Sequence, residues 1–208
     1  MVNLVLVMDE KQDSNTSNPD VKHFNLWAPT YEQSFMQRLY FGPVHMMMLE
    51  VLLSALTKEP KSILDVGCGT GRFLRMVAVK WPEAQLFGID PAERMISEAT
   101  RLNPNATFKV GFAESLPFTD QCADVVISSL SFHHWEDQKK GIQEIARVLK
   151  PGGLFCLADH DFQLLNIFGE DVRSHKEIRG LMFEAGLTIR QQRGLELRFV
   201  LFTLAQNN

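Results

Sequence analysis

The sequence has few cysteines, no excess of basic residues and no long apolar run. Its three cysteines are too few for a disulfide framework, and they include no CxxC pair of the kind that holds structural zinc. No run of about 18 apolar residues is present, so we predict no membrane span. The formal net charge of −4 argues against nucleic-acid binding, which needs clustered Lys and Arg. These absences favour a cytoplasmic protein with reduced thiols.

The composition is that of a globular protein, with 45% apolar and 22% charged residues among 208. We predict a flexible leader over residues 1–21, an N-terminal helical cap over residues 22–58, and an α/β domain over residues 59–208. Within the cap, apolar residues at helical spacing predict two helices. A break at Gly42–Pro43 is expected to separate them.

From residue 61 onward, short apolar runs alternate with amphipathic helical stretches. The runs predict strands over 62–66, 85–89, 106–110, 123–129 and 154–158. Near-continuous apolar strands alternating with helices are typical of a parallel sheet covered on both faces. Two later runs, 187–192 and 195–204, joined near Gly194, predict an antiparallel hairpin. We therefore predict a doubly wound, mostly parallel, seven-stranded α/β fold with an antiparallel last strand.

The strongest chemical signal is the glycine-rich turn Asp65-Val66-Gly67-Cys68-Gly69-Thr70-Gly71, between the first strand and a helix. Glycines let the backbone approach a ligand closely, because no Cβ intervenes. Asp90 ends the second strand, where a carboxylate accepts ribose hydroxyls. The GxGxG spacing departs from the GxGxxG of dinucleotide sites, and Arg72 stands where those sites need a small residue. Asp65 would repel a pyrophosphate but hold an ammonium, which favours an amino-acid nucleoside over NAD.

Five segments in the same order resemble motifs of the class I S-adenosylmethionine-dependent methyltransferases. They are ILDVGCGTG at 63–71, GIDPAERMI at 88–96, GFAESLPF at 111–118, ADVVISSLSFHHW at 123–135 and RVLKPGGLF at 147–155. The resemblance covers residues 61–160 densely. It is closest to the small-molecule branch that includes quinone-biosynthesis C-methyltransferases. It implies a Rossmann-like fold and S-adenosyl-L-methionine as the cofactor, and it says little about the acceptor.

The resemblance also implies roles for individual residues. The expected cofactor-binding set is Asp65, Gly67, Cys68, Gly69, Gly71, Asp90, Pro91, Met95, Ala113, Glu114, Ser128 and Ser129. In this set Asp65 lies near the amino group of the methionine part, and Asp90 takes the ribose hydroxyls. Phe112 stands where many relatives carry an acid, so hydrogen bonds to the adenine are expected from Glu114 and the backbone instead.

The residues after the fourth strand are expected to face the acceptor. His133 and His134 are candidate general bases, because histidine titrates near neutral pH; the alternative is that one of them caps a helix or bonds the cofactor. Tyr31 lies in a stretch resembling the aromatic N-terminal helix of this family, so it is a candidate lid, the alternative being helix packing. Asp159 and His160 end the fifth strand, but a metal would need further ligands, so we predict none.

The sequence thus predicts methyl transfer from S-adenosylmethionine to a small, partly hydrophobic organic acceptor, at carbon or oxygen, by a monomer or homodimer. Residues 128–131 read SSLS where methyltransferases of nucleic-acid bases carry a Pro-Pro-aromatic motif, which disfavours nucleic acid. The acceptor pocket is expected to include residues 162–168. Two alternatives stay open: a non-catalytic S-adenosylmethionine-binding protein and, less favoured by the glycine spacing, a nicotinamide-dependent oxidoreductase.

Overall fold

The computed structural model describes residues 18–160, 174–195 and 200–208. Its strands are β1 (Ser62–Val66), β2 (Gln85–Asp90), β3 (Thr107–Val110), β4 (Ala123–Ser129), β5 (Leu149–His160), β6 (Leu187–Leu195) and β7 (Val200–Asn207). They form a seven-stranded sheet in the order β3-β2-β1-β4-β5-β7-β6. Strands β1 to β5 are parallel, whereas β7 lies between β5 and β6 and is antiparallel to both. The predicted fold class is confirmed.

Helices connect the strands and cover the sheet. They are α1 (Pro19–Tyr31), α2 (Gly42–Ala55), α3 (Arg72–Lys80), α4 (Glu93–Leu102), α5 (Gln138–Val148) and α6 (His175–Glu184). A π-helical turn spans Gln37–Phe41, and a 3-10 turn spans Phe132–His134. Among the helices of the described ranges, none has both the length and the apolar character needed to cross a bilayer.

Both faces of the central strands are buried, which explains their continuous apolar sequence. Successive residues of a strand point to opposite faces. In β1, Ile63 packs into a cluster that includes residues of α2 and α3, and Leu64 packs into a second cluster with residues of α5 and α6. All five residues of β1 are buried. The sheet therefore forms the middle layer of the fold, and the carboxyl ends of its parallel strands meet at one edge.

The interruption of the N-terminal cap lies elsewhere than predicted. Helix α1 ends at Tyr31, the chain bends over residues 32–34, and the helix then continues through the π turn into α2. The Gly42 N–H donates to the Gln37 carbonyl, five residues back. This wider turn accommodates Pro43, which has no N–H to contribute to the helix. The predicted break at Gly42–Pro43 is wrong, because the π turn lets the helix continue past the proline.

The cap also begins earlier than predicted. Pro19 starts α1, and the Asn18 side chain caps it by accepting from the Asp20 N–H at 2.8 Å. The boundary expected at residue 21 therefore falls inside a helix. The rest of the predicted leader, residues 1–17, lies outside the described residues.

The C-terminal hairpin differs from its prediction in one respect. Strand β6 continues through Gly194, which pairs with Leu201 of β7, so the two strands are not joined at Gly194. Glycine is tolerated there because this strand lies at the edge of the sheet. Residues 196–199, like residues 162–168 of the expected acceptor pocket, lie outside the described residues.

Asp124, near the start of β4, links this strand to the beginnings of β1 and β5. Its Oδ2 accepts from the backbone N–H groups of Lys61 and Ser62 and from the Ser62 hydroxyl, each at 2.9 Å. Its Oδ1 lies 2.8 Å from Nζ of Lys150 in β5. Burial alone would raise the pKa of Asp124, but the Lys150 ammonium and the hydrogen bonds hold it below its ordinary value.

Replacing Asp124 with Asn is expected to lower the free energy of unfolding at pH 7 by about 1–3 kcal/mol, because hydrogen bonds to a charged group are lost. Since the folded-state pKa is depressed, this contribution is present above the unfolded pKa of about 4 and is lost as the pH falls through the folded value. Thermal unfolding of D124N and wild type measures the difference, with E83Q on the surface as the control. An equal gap at pH 7 and pH 3 would contradict the prediction.

Candidate active site

The turn between β1 and α3 approaches its neighbours so closely that a Cβ would clash at two of its glycines, Gly67 and Gly71. Gly67, Gly69 and Gly71 have φ angles of 76°, 51° and 71°. A Cβ at Gly67 would lie 2.2 Å from the hydroxyl oxygen of Ser131, in the loop after β4. That hydroxyl donates to the Val66 carbonyl at 3.1 Å. Glycine is required at position 67 because the turn and this loop are in direct contact.

Asp90, at the end of β2, holds the turn with both carboxylate oxygens. Its Oδ2 accepts from the Gly69 N–H and its Oδ1 from the Ala92 N–H, each at 2.9 Å. Burial raises the pKa of Asp90 to about 6, against the lowering effect of these two hydrogen bonds. Each oxygen keeps capacity to accept a further hydrogen bond, so the position suits recognition of ligand hydroxyls.

Asp65, in β1, is a second buried acid near the same turn. It is 2% exposed, and its Oδ1 has no hydrogen-bond partner. Burial raises the pKa of Asp65 well above its ordinary value, and the charge of Asp90 raises it further. A buried carboxylate oxygen without a donor is costly. The two acids together therefore favour a ligand that carries both a cationic group and hydroxyls.

These groups open onto a cavity at the carboxyl ends of the central strands. The predicted site residues that line it are Tyr31, Asp65, Gly67, Cys68, Gly69, Asp90, Pro91, Met95, Ala113, Glu114, Ser129 and His134. Gly71, Ser128 and His133 are not among the lining residues. Gly71 precedes α3 in the left-handed conformation, and Ser128 is buried with its Oγ 2.9 Å from that of Ser131. The binding roles themselves stay predictions.

The two histidines after β4 have different partners. His134 lines the cavity, with its Nδ1 2.8 Å from an oxygen of Asp20 in α1. Burial and the neighbouring His133 lower the pKa of His134, although Asp20 opposes them. The His133 side chain is 5% exposed, with its Nδ1 2.6 Å from Oδ1 of Asp159, and the backbone N–H of His133 donates to Oδ2 of Asp159 at 2.7 Å. Only His134 of this pair reaches the cavity.

A polar cluster surrounds Asp159 at the end of β5. The His160 N–H donates to Asp159 Oδ1 at 2.8 Å, and Nδ1 of His160 lies 2.9 Å from the Tyr40 hydroxyl. His133, Asp159 and His160 have potential metal-ligating atoms within 4.8 Å of one another. Since Asp159 already accepts hydrogen bonds from both histidine residues, the cluster is held together without an ion. The absence of a metal stays a prediction.

Helix α1 forms one wall of the cavity through Val21, Phe24 and Tyr31. The Tyr31 ring lies over the glycine turn, with Cε1 3.7 Å from where a Cβ on Gly69 would stand. Burial raises the pKa of Tyr31 to about 12, with a smaller lowering effect from the nearby Gln37 amide. Tyr31 therefore covers the turn as a neutral phenol, and its role as a lid stays a prediction.

Glu32, directly after α1, fastens the cap to α3. Its carboxylate accepts from the Thr70 hydroxyl and forms ion pairs with Arg72 at 3.1 Å and Arg75 at 2.7 Å. Burial would raise the pKa of Glu32, but the Thr70 hydrogen bond and the two arginines hold it below its ordinary value. The cap wall is therefore fixed relative to the glycine turn. Glu32 was not among the site residues predicted from the sequence.

Several residues that line the cavity were not predicted either. Gln37 and Phe41 of the π turn, His45 of α2 and Phe73 of α3 all line the cavity. They stand in helical stretches whose apolar spacing indicates packing. Sequence periodicity assumes 3.6 residues per turn, so it does not show which side chains a π turn rotates inward. The one signal in the sequence for such lining residues was a polar residue inside an apolar helical run.

The arrangement has counterparts among known proteins. Residues 64–157 match a family described as "Methyltransferase domain". The chain is 38% identical over 169 residues to a demethylmenaquinone methyltransferase of Thermus thermophilus, and the alignment covers 79% of this chain and 76% of that protein. It is 44% identical over 96 residues to a demethylmenaquinone methyltransferase of Chlorobaculum parvum. That match covers 46% of this chain and 39% of the relative, so the chain spans about two fifths of that protein's length.

The fold also has solved counterparts. The crystal structure of a SAM dependent methyltransferase from Aquifex aeolicus is similar with a TM-score of 0.70. The two chains are 20% identical, and the match covers 95% of this chain and 100% of the other. At that level of identity the similarity concerns the arrangement of strands and helices.

Replacing Asp65 with Asn is expected to raise the melting temperature of the ligand-free protein by about 2–5 °C at pH 8, because a buried carboxylate without a full set of donors is removed. The folded-state pKa is raised, so the protonated carboxyl contributes stability below the unfolded pKa of about 4, and this contribution is lost as the pH rises toward the folded value. Wild type is therefore expected to lose more stability than D65N between pH 5 and pH 8.

Thermal unfolding of wild type, D65N and E93Q measures this effect. Glu93 is an exposed acid on α4 and serves as the matched control. A lower melting temperature for D65N than for wild type at pH 8 would show that Asp65 stabilises the empty protein, contrary to the prediction.

Proposed function

The chain belongs to the S-adenosylmethionine-dependent methyltransferases, and on this basis we propose that it transfers the methyl group of S-adenosylmethionine to a small, partly hydrophobic organic acceptor. The observation that carries the proposal is the unpartnered oxygen of Asp65, buried beside the glycine turn and close to Asp90. Such a carboxylate suits an ammonium, whereas it would repel the pyrophosphate of a nicotinamide dinucleotide.

S-adenosylmethionine supplies, when bound, a methyl group made electrophilic by the positively charged sulfur. Asp65 would hold the amino group of the methionine part, and Asp90 would accept the ribose hydroxyls. Pro91 and Met95 would flank the adenine, with Glu114 at its edge. The residues present thus match each polar part of the molecule with a group of suitable charge.

The acceptor side is lined by aromatic residues. Phe24, Phe41 and Trp135 line the cavity, and Leu130 adds an aliphatic contact. Such a lining suits a flat, partly apolar ring. The Thermus thermophilus relative is named as a demethylmenaquinone methyltransferase, so we infer a ring of related chemistry as the acceptor. The main task of these walls is to align the accepting atom with the methyl group and to exclude water.

An acceptor that loses a proton while its carbon or oxygen takes the methyl group needs a base. His134 lines the cavity, and its lowered pKa keeps the imidazole neutral near pH 7. Its Nδ1 faces Asp20 at 2.8 Å, which orients the ring. His133, bound twice to Asp159, acts here as a positioning residue that holds the 3-10 turn in place.

We further infer a cytoplasmic protein that acts as a monomer or homodimer on a small molecule rather than on nucleic acid. Its three cysteines are buried and unpaired, as suits a reducing compartment. The net charge of −4 does not favour contact with phosphates.

Calorimetric titration with S-adenosylhomocysteine tests the cofactor. Wild type is expected to bind with micromolar affinity, and D65N about 10–100-fold more weakly, because a hydrogen bond to a charged group is lost. E93Q, which alters an exposed acid on α4, is expected to bind like wild type. Binding of NADH instead, or no binding of S-adenosylhomocysteine, would refute the proposal. Binding without turnover of any acceptor would favour a non-catalytic binding protein.

Replacing His134 with Gln is expected to lower kcat by about 10²–10⁴-fold with 1,4-naphthohydroquinone as acceptor, while the affinity for S-adenosylhomocysteine stays unchanged. For wild type, kcat is expected to fall as the pH drops through the lowered pKa of His134, because the protonated imidazole accepts no proton. This fall is expected to disappear in H134Q. A pH profile that is the same in both proteins would exclude His134 as the base.

A further inference from the structure

Two polar side chains of the cap face the cavity without partners. Gln37, in the π turn, is 1% exposed, and His45, eight residues further along in α2, is 6% exposed. Both line the same cavity as the glycine turn. Three of their atoms, Nε2 and Oε1 of Gln37 and Nδ1 of His45, are buried without a hydrogen-bond partner. The Gln37 amide lies close to the Tyr31 phenol, but neither of its atoms makes a hydrogen bond of good geometry.

Gln37 and His45 differ in this respect from the polar side chains around them. Buried polar atoms in proteins are nearly always hydrogen-bonded, so each exception needs an explanation. In the same cap, Glu32 has three partners. The unpartnered atoms of Gln37 and His45 lie on two side chains that line one cavity, so a molecule bound in that cavity is placed to supply their missing partners.

The pair is electrically neutral. Burial, and after it the charge of Arg72, lowers the pKa of His45 to about 3, so the imidazole carries no charge near pH 7. The cationic side chains nearby, Arg72 and Arg75, are bound to Glu32. A carboxylate would find better partners in Arg72, which lines the cavity, and in the N-terminal N–H groups of α3. A neutral donor and acceptor pair instead matches a neutral oxygen.

The surroundings of the pair are apolar. The His45 ring stacks on Phe73, with centroids 4.8 Å apart and an angle of 6° between the rings. Phe41 and Leu130 line the cavity as well. An oxygen that reaches Gln37 and His45 therefore belongs to a molecule whose body is apolar.

We propose that Gln37 and His45 form a subsite that binds a hydroxyl or carbonyl oxygen of the methyl acceptor. This inference rests on the proposed function, because it assigns the pair to the acceptor and not to the cofactor. The Gln37 amide both donates and accepts, so it complements a hydroxyl as well as a carbonyl. The subsite selects acceptors with such an oxygen over equally shaped hydrocarbons, because an unfilled subsite leaves buried polar groups unpaired.

The test compares 1-naphthol with naphthalene, which have the same ring system and differ by one hydroxyl. Their binding is measured by equilibrium dialysis, with and without saturating S-adenosylhomocysteine. The variants are Q37M and H45F, which keep the approximate shape of each side chain and, in H45F, the stack on Phe73. Q33M, at an exposed position in the bend after α1, is the matched control.

Wild type and Q33M are expected to bind 1-naphthol at least tenfold more tightly than naphthalene. Q37M and H45F are each expected to lose about fivefold to tenfold of the affinity for 1-naphthol and none of that for naphthalene. Both variants are expected to retain the wild-type melting temperature or to exceed it, because an unpaired buried polar group is replaced by an apolar one of similar shape. Should H45F fail to unfold cooperatively, H45N takes its place, with the same expected loss.

Two results would overturn the subsite. One is an unchanged preference for 1-naphthol in both variants. The other is a loss of S-adenosylhomocysteine affinity in the variants with the naphthol preference intact, which would assign the pair to the cofactor. If wild type binds no S-adenosylhomocysteine, the proposed function fails, and the dialysis without that compound still decides whether the pair recognises an oxygen.

Discussion

The close approach of the β1–α3 turn to its neighbours is the constraint on which the site depends. Asp90 accepts the backbone N–H groups of Gly69 and Ala92, and in this way joins the end of β2 to the turn. The missing Cβ of Gly67 leaves the space that Ser131 occupies, which brings the loop after β4 against the same turn. The carboxyl ends of β1, β2 and β4 therefore meet at one cavity, as is typical where the strand order of such a sheet reverses.

Two contrasting situations occur among the polar groups of the described residues. At the opposite edge of the sheet, Asp124 makes hydrogen bonds and an ion pair with every neighbouring strand start. In the cavity, Asp65, Gln37 and His45 keep polar atoms without partners. The second situation is costly for the empty protein and favourable for binding, because a ligand supplies the missing partners. Satisfied networks such as that of Glu32 stabilise the walls that hold these groups in place.

Family membership and site geometry answer different questions. The parallel sheet with its antiparallel last strand supports many chemistries, so the fold alone does not identify an acceptor. The cavity is more informative, since Asp65 and Asp90 lie beside the glycine turn, whereas Phe24 and Phe41 of the cap and Leu130 of the loop after β4 supply apolar walls. His134 lies after β4, and Asp20 of α1 is 2.8 Å from its Nδ1, so the cap holds a side chain of the cavity in place as well as covering the site.

The sequence by itself determined the order of strands and helices, the glycine turn and the placement of Asp65 and Asp90. These features follow from local rules: hydrophobic period, the need for glycine at positive φ, and the fact that parallel strands end at one edge. Only the tertiary structure decided that His134 and not His133 reaches the cavity, because Asp159 of a distant strand binds His133. Likewise, the π turn that moved the expected break away from Gly42–Pro43 also turned Gln37 inward, since such a turn changes the register that sequence periodicity assumes.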